Sequence, residues 1–338
     1  MEQALAKWES LAASSGLLRF LDINLRSIGQ VMFQSNPLTG VLFLAAIAWG
    51  SYAAGAPRVA IAGVLAVLVA NLTAVLLRAE TESLHAGLYG FNGILVGLAL
   101  ATFLAPGPLL WVYVILGAAV SVVVMLGTTN VVKSWGGALT FPFVLTTWLL
   151  LLATYGFSGL AGAALPSGNV VTAFQPYKGS PLQLVDLVQG VFLSISQVFL
   201  KASSIAALLL LAGLAVSSLA AAAFALGGAI LAVLTAHLFG AESDLITGGL
   251  LGFSPVLTAI ALGTVFYQPS WRVAVYTVLA TVFTVIVQSA LNVALTPFAI
   301  PALTVPFVLV TWLFLLPRQR LEAAPAATHE SERPAAVA

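Results

Sequence analysis

Long apolar runs dominate this chain, and short polar or glycine- and proline-containing stretches separate them. A membrane-spanning helix needs about 20 mainly apolar residues, whereas the strands of a membrane barrel would alternate with a period of two. The runs do not alternate, so they predict helices. Ten spans are expected, at 38–55, 57–77, 87–104, 108–126, 138–156, 203–222, 224–239, 249–266, 272–290 and 302–317. Two further segments, Arg19–Gln34 and Leu182–Leu200, are too polar or too short to cross comfortably. Each precedes the first span of its half and predicts a re-entrant half-helix, whose non-helical end must face protein or a watery cavity.

The pattern repeats itself. "ALTFPFVLTTWLLLL" (138–152) and "ALTVPFVLVTWLFLL" (302–316) agree at 12 of 15 positions. "RSIGQVMF" (26–33) aligns with "LSISQVFL" (193–200), and "GLYGFNGILVGLAL" (87–100) with "GLLGFSPVLTAIAL" (249–262). The offsets are 164, 167 and 162 residues, in one order along the chain. This is the mark of an internal duplication. Five spans per half is an odd number, so the second half must enter from the opposite side. The expected fold is an all-α integral membrane protein of ten transmembrane helices plus two re-entrant half-helices, arranged as two inverted five-helix repeats around a central pore. The parts are an N-terminal segment (1–18), a first repeat (19–160), a linker (161–181), a second repeat (182–317) and a disordered tail (318–338).

Composition agrees with a lipid solvent. Of the 338 residues 61% are hydrophobic and 7% charged, against roughly 25% charged in a soluble domain. The net charge of +1 points to no nucleic acid or other polyanion, and the absence of cysteine excludes disulfides and thiolate metal sites. No cleavable signal peptide is read at the N-terminus. Nine of the 12 Lys and Arg residues fall on the side of the N-terminus and three (Arg58, Lys178, Lys201) on the other. That asymmetry expects both termini in the cytoplasm.

Candidate chemistry is sparse. There is no phosphate-binding loop, no nucleophile–base pair and no metal cluster in the sequence, so neither an enzyme nor an ATP-driven pump is expected, and no cofactor. Ion-coupled carriers keep an ionisable group within the bundle. Only Asp186 qualifies, and its plainer reading is a carboxylate at a helix start. His85, His237 and His329 lie in a loop, at a span end and in the tail. The interior groups that remain are neutral and paired between the halves: Gln30 with Gln197, Thr140 with Thr304, Asn92 with Ser254. Such groups suit a neutral solute that donates hydrogen bonds, because each bond to water lost on entry must be replaced. A Thr two residues before Pro also has a duller use, bonding a freed backbone carbonyl. Phe91 with Leu95, and Phe253 with Leu257, sit four apart and share a helix face. They are either packing or the flat walls of two slots.

These motifs together resemble those of the urea transporter family. They are "GQVMFQSNPLTG" (29–40), "GFNGILVG" (90–97), "LTFPF" (139–143) and "IPALTVPF" (300–307), and the likeness extends from about Arg19 to Pro317. The resemblance implies a homotrimer in the lipid bilayer with one urea pore in each protomer. Urea would be the permeant, moving passively between the inverted halves. It implies slots at Phe91 and Leu95 and at Phe253 and Leu257, central threonines at Thr140 and Thr304, and polar residues Gln30 and Gln197 on the half-helices. Val31, Phe33, Val198 and Leu200 would be apolar lining. A bacterial inner-membrane location is expected, since the one N-x-[ST] motif, Asn71-Leu72-Thr73, lies inside a predicted span. The chain departs from the pattern where Ser203-Ser204-Ile205-Ala206-Ala207 replaces a second Asn-Pro-x-Thr-Gly turn, and where Ser254-Pro255 replaces Asn92-Gly93. The rival readings are a pore for another small neutral solute, such as amides, ammonia or water, and an ion-coupled carrier using Asp186.

Overall fold

The structure is a computed structural model and describes residues 2–168 and 181–317. Most of the linker (169–180), the tail (318–338), Lys178 and His329 therefore lie outside the described residues. The helices in order are α1 Glu2–Ser14, α2 Gly16–Gln30, α3 Pro37–Ala53, α4 Pro57–Leu76, α5 Thr81–His85, α6 Phe91–Phe103, α7 Pro108–Val132 and α8 Phe141–Ala153. Then come α9 Leu184–Ser196, α10 Ser204–Ser217, α11 Leu219–Leu238, α12 Ser243–Thr247, α13 Phe253–Ile260, α14 Trp271–Leu295 and α15 Val305–Leu315. The order of α2–α8 recurs in α9–α15. So do the lengths: α4 and α11 have 20 residues each, α5 and α12 five, and α7 and α14 25.

Local chemistry sets the boundaries. Asn36 caps α3, its side chain accepting from the Leu38 and Thr39 N–H groups, and Pro37 opens the helix. Ser203 keeps that role in the second half, where it accepts from Ala206 N–H, so the missing Asn-Pro turn costs no cap. Ser218 caps α11 by accepting from Ala221 N–H. The break between those two spans therefore falls at 218, not at the expected 222–224. The spans expected at 87–104 and 249–266 begin as helices only at Phe91 and Phe253. Gly87 (φ +83) and Gly249 (φ +69) hold the left-handed turns that precede them, tight against Ser27 N and Ser194 N of the half-helices. The second of these spans ends in a π-helical turn, Ala261–Val265. The spans expected to end at 126 and 290 run on to Val132 and Leu295.

Four helices (α4, α7, α11 and α14 with its 3₁₀ extension) have the length and composition to cross a membrane alone. Five others (α3, α6, α8, α13 with its π turn, and α15) are apolar but only 10–17 residues long, about 15–26 Å at 1.5 Å per residue. The segment of α9 and α10 bends by 71° at its break, as a broken or re-entrant span does. The helix α1 has no counterpart in the expectation for 1–18. It is tied down where Trp8 Nε1 donates to Asp22 Oδ1 at 2.7 Å and Arg26 pairs with Glu9 at 3.3 Å.

The core lies where the two halves meet. There α3 runs antiparallel to α10: Thr39, early in α3, donates to the Gly213 carbonyl, while Gly50, late in α3, lies against the stem of Lys201 just ahead of α10. Lys201, one of the three cations read on the far side, is only 5% exposed. Phe43 and Phe199 stack edge-on across this seam at 5.5 Å.

Candidate functional site

The helices α8 and α15 open on the repeated Leu-Thr-x-Pro-Phe sequence. Leu139 and Leu303 both take φ of 51°, a left-handed conformation that a leucine adopts only when its surroundings impose it. The turn places Thr140 and Thr304 at the two N-caps with nearly identical backbone angles (φ −95° and −94°, ψ 15°). Neither hydroxyl caps its own helix. Instead Thr140 Oγ1 and Thr304 Oγ1 bond each other at 2.6 Å, with the residues 2% and 3% exposed. One hydroxyl donates and the other accepts, so the pair keeps one free O–H and spare lone pairs.

The two turns are held by exchange. Trp148 Nε1, on α8, donates to the Pro301 carbonyl ahead of α15, and Trp312 Nε1, on α15, donates to the Gly137 carbonyl ahead of α8, both at 2.9 Å. Each half thus fixes the threonine-bearing turn of the other. Asn92 adds a brace on the first side, donating to the Leu139 carbonyl at 3.3 Å and accepting from Phe143 N–H at 3.1 Å. Ser254, its counterpart, turns away and donates to Gln288 Oε1 at 2.7 Å.

The helices α2 and α9 end beside the turns that precede α6 and α13. Gln30 Nε2 donates to the Ala86 carbonyl at 2.9 Å, and Gln197 Nε2 to the Gly248 carbonyl at 3.1 Å. Both side-chain oxygens remain as acceptors. Phe33 and Leu200 follow at φ of 64° and 55°. Phe33 reaches into the second half, 6.1 Å from the Phe307 ring and 6.4 Å from Phe266. Leu200 shares a cavity wall with Phe103 and Phe143 of the first half.

That cavity, of about 540 Å³, brings together five of the sequence-predicted residues: Gln197, Val198, Leu200, Phe253 and Thr304. Leu257 is not among its lining and is fully buried one turn behind Phe253. In the first half Val31, Phe91 and Leu95 are buried at 2%, 7% and 0% exposure, and Gln30 and Phe33 are half-buried. The expected span stopped at 290, and pattern reading missed three contributors to the cavity, Gln288 and Asn292 of α14 and Thr296 just past its end. It also missed Pro166 and Ser167 of the linker, which turn back over the cavity beside a short antiparallel bridge between Leu104 and Gly162.

The family model described as urea transporter matches residues 21–319. The chain belongs to the urea transporter family. Urea transporter 1 of sheep (Ovis aries) is 27% identical over 303 residues, covering 88% of this chain and 77% of that protein. Urea transporter 1 of the rat (Rattus norvegicus) is 28% identical over 304 residues, with 89% and 77% covered.

The charged groups of this urea transporter family member are not confined to its surface: Lys201 and Asp22 are 5% and 1% exposed, and Glu242 lines the 540 Å³ cavity. Asp186 accepts from Gln183 N–H at 2.8 Å at the start of α9, the plainer of its two readings. Glu80 accepts from the Ser83 N–H at 2.9 Å, and hydrogen bonding from the Ser83 side chain first, then from its backbone, holds its carboxyl below the usual carboxylate range. A second cavity, of about 400 Å³, opens at the α1 side between Glu9, Arg19, Asp22, Arg26, Glu82 and His85. There Arg26 also donates to the Ser35 carbonyl at 2.8 Å, and Ser35 Oγ to the Ala86 carbonyl that Gln30 uses.

Proposed function

We propose that the protein is a passive, channel-like path for urea across a membrane. The observation that carries this reading is the buried Thr140–Thr304 contact at the junction of the halves. Urea is flat and neutral and carries four N–H donors. The two threonine hydroxyls and the free oxygens of Gln30 and Gln197 replace the water those donors lose. The Phe91–Leu95 and Phe253–Leu257 faces then act as slots, with Val31, Phe33, Val198 and Leu200 as apolar lining. An ion gains nothing there to offset its desolvation.

The architecture that goes with this reading is ten crossings in two inverted repeats. It is supported by the recurrence of helix order and length, and by the antiparallel pairing of α3 with α10. Both termini lie on one side, and the protomers assemble as a homotrimer in a bacterial inner membrane, each with its own pore. Flux follows the gradient in either direction. Coupling to an ion through Asp186 is the weaker reading, because that carboxylate is used at a helix start.

Light-scattering flux on proteoliposomes of the purified protein tests this. Fast urea flux that ignores added sodium and proton gradients is expected. Flux that appears only with an ion gradient would overturn the passive reading, and no urea flux at all would overturn urea as the permeant.

A further inference from the structure

Helix α14 and the 3₁₀ turn that extends it carry a polar stripe that the urea path described above does not use. Gln288, Asn292 and Thr296 recur every four residues and so share one face. All three line the 540 Å³ cavity together with Phe253 and Thr304. A directed hydrogen-bond chain runs along the stripe. Ser254 Oγ donates to Gln288 Oε1 at 2.7 Å, and Gln288 Nε2 donates to Asn292 Oδ1 at 3.1 Å. Gln288 is only 1% exposed, and both ends of its amide are bonded in this arrangement.

The direction matters at the last member. The acceptor end of Asn292 is occupied, which leaves the two N–H donors of Nδ2. They meet no acceptor among the described residues. Thr296 Oγ1 is committed to the Asn292 backbone carbonyl at 2.7 Å. The first half has nothing equivalent: Asn92 Nδ2 faces the sulfur of Met125 where Ser254 faces Gln288.

Among the other polar groups proposed along the path, acceptors for the N–H groups of urea outnumber donors, the one free threonine O–H being the donor already named. Gln197 Oε1 and the threonine oxygens accept from its N–H groups. Its carbonyl oxygen, the strongest acceptor it has, also loses water on entry and needs a donor. We propose that Asn292 is a further permeant-binding residue, donating from Nδ2 to the urea carbonyl oxygen inside this cavity, and that Gln288 is the positioning residue that keeps the amide that way round. This rests on urea being the permeant.

The test compares urea with thiourea, which keeps the shape and the N–H donors but offers a far weaker acceptor in place of the carbonyl. Fluxes of both are measured in proteoliposomes of the wild type, Asn292→Leu and Gln288→Met. The urea-to-thiourea flux ratio is expected to fall about three- to tenfold in Asn292→Leu, the loss of roughly one hydrogen bond. In Gln288→Met it falls by less, with thiourea flux within about twofold of wild type in both. The ratio is independent of how much protein inserts, so a merely structural role would leave it unmoved. An unchanged ratio in Asn292→Leu overturns the assignment. Should that variant fail to insert, an unchanged ratio in Gln288→Met overturns it instead. A wild type that carries no urea would sink the permeant itself, an outcome distinct from a wild type that carries urea with a ratio indifferent to residue 292.

Discussion

Thr140 and Thr304 stand 164 residues apart in sequence and share one buried hydrogen bond of 2.6 Å. Two hydroxyls joined in this way act as a unit. Thr140→Val and Thr304→Val are each expected to lower urea flux severalfold, and the double variant about tenfold, less than the product of the single losses. Thermal stability should move by only about 1 kcal/mol per lost bond. Fully multiplicative losses in stopped-flow flux would mean that the hydroxyls work separately.

Phe253 lines the cavity mouth and is half-buried there. Phe253→Arg is expected to cut urea flux by more than about tenfold while the protein still inserts, because an arginine stem can lie along the wall with its head in water. Phe253→Leu should retain a measurable share of the flux. Normal flux through Phe253→Arg would put the path elsewhere.

Asn92 satisfies two backbone groups, the Leu139 carbonyl and the Phe143 N–H, that no other side chain among the described residues reaches. Asn92→Leu leaves both buried and unpaired, at a cost of about 2–4 kcal/mol. Ser254→Ala removes a single bond to Gln288 and should cost about 1 kcal/mol. Melting temperatures in detergent check the order, and equal losses would refute the bracing role of Asn92.

The tryptophan exchange gives a graded expectation. Trp148→Phe loses one hydrogen bond, worth about 1 kcal/mol. Trp312→Phe should cost more, because that ring also packs at 5.4 Å from Phe141 and 5.8 Å from Trp135. A larger loss at Trp148 would contradict this ranking.

Much of this arrangement was legible in the sequence. The doubled Leu-Thr-x-Pro-Phe stretch paired Thr140 with Thr304 between the repeats, and the short polar segments 19–34 and 182–200 stood apart from the long apolar runs. What stayed hidden has a common cause. Hydropathy reads how apolar a run is, and it cannot see where the backbone inside it breaks when protein, rather than lipid, satisfies the freed groups. That is why 87–104 and 249–266 looked continuous, although their first turns are bent around Ser27 and Ser194. The same blindness works in reverse on α14, whose expected span stopped at 290, short of Asn292 in the wall of the cavity. Nothing in the sequence signalled that Gly50 would leave room for the buried stem of Lys201. The helix α1 depends on Trp8 finding Asp22, a contact that no periodicity encodes.

The tryptophan exchange also bears on how the protein is made. Trp148 leaves the ribosome 153 residues before Pro301, its acceptor, and the Gly137 carbonyl waits a further 22 residues beyond that separation for Trp312. The first half can enter the bilayer early, but its central turn has no finished shape until the final helix arrives. Maturation of the conduit is therefore a last-minute event of synthesis, and a nascent chain stalled before α15 would hold an unlatched first half open to quality-control proteases.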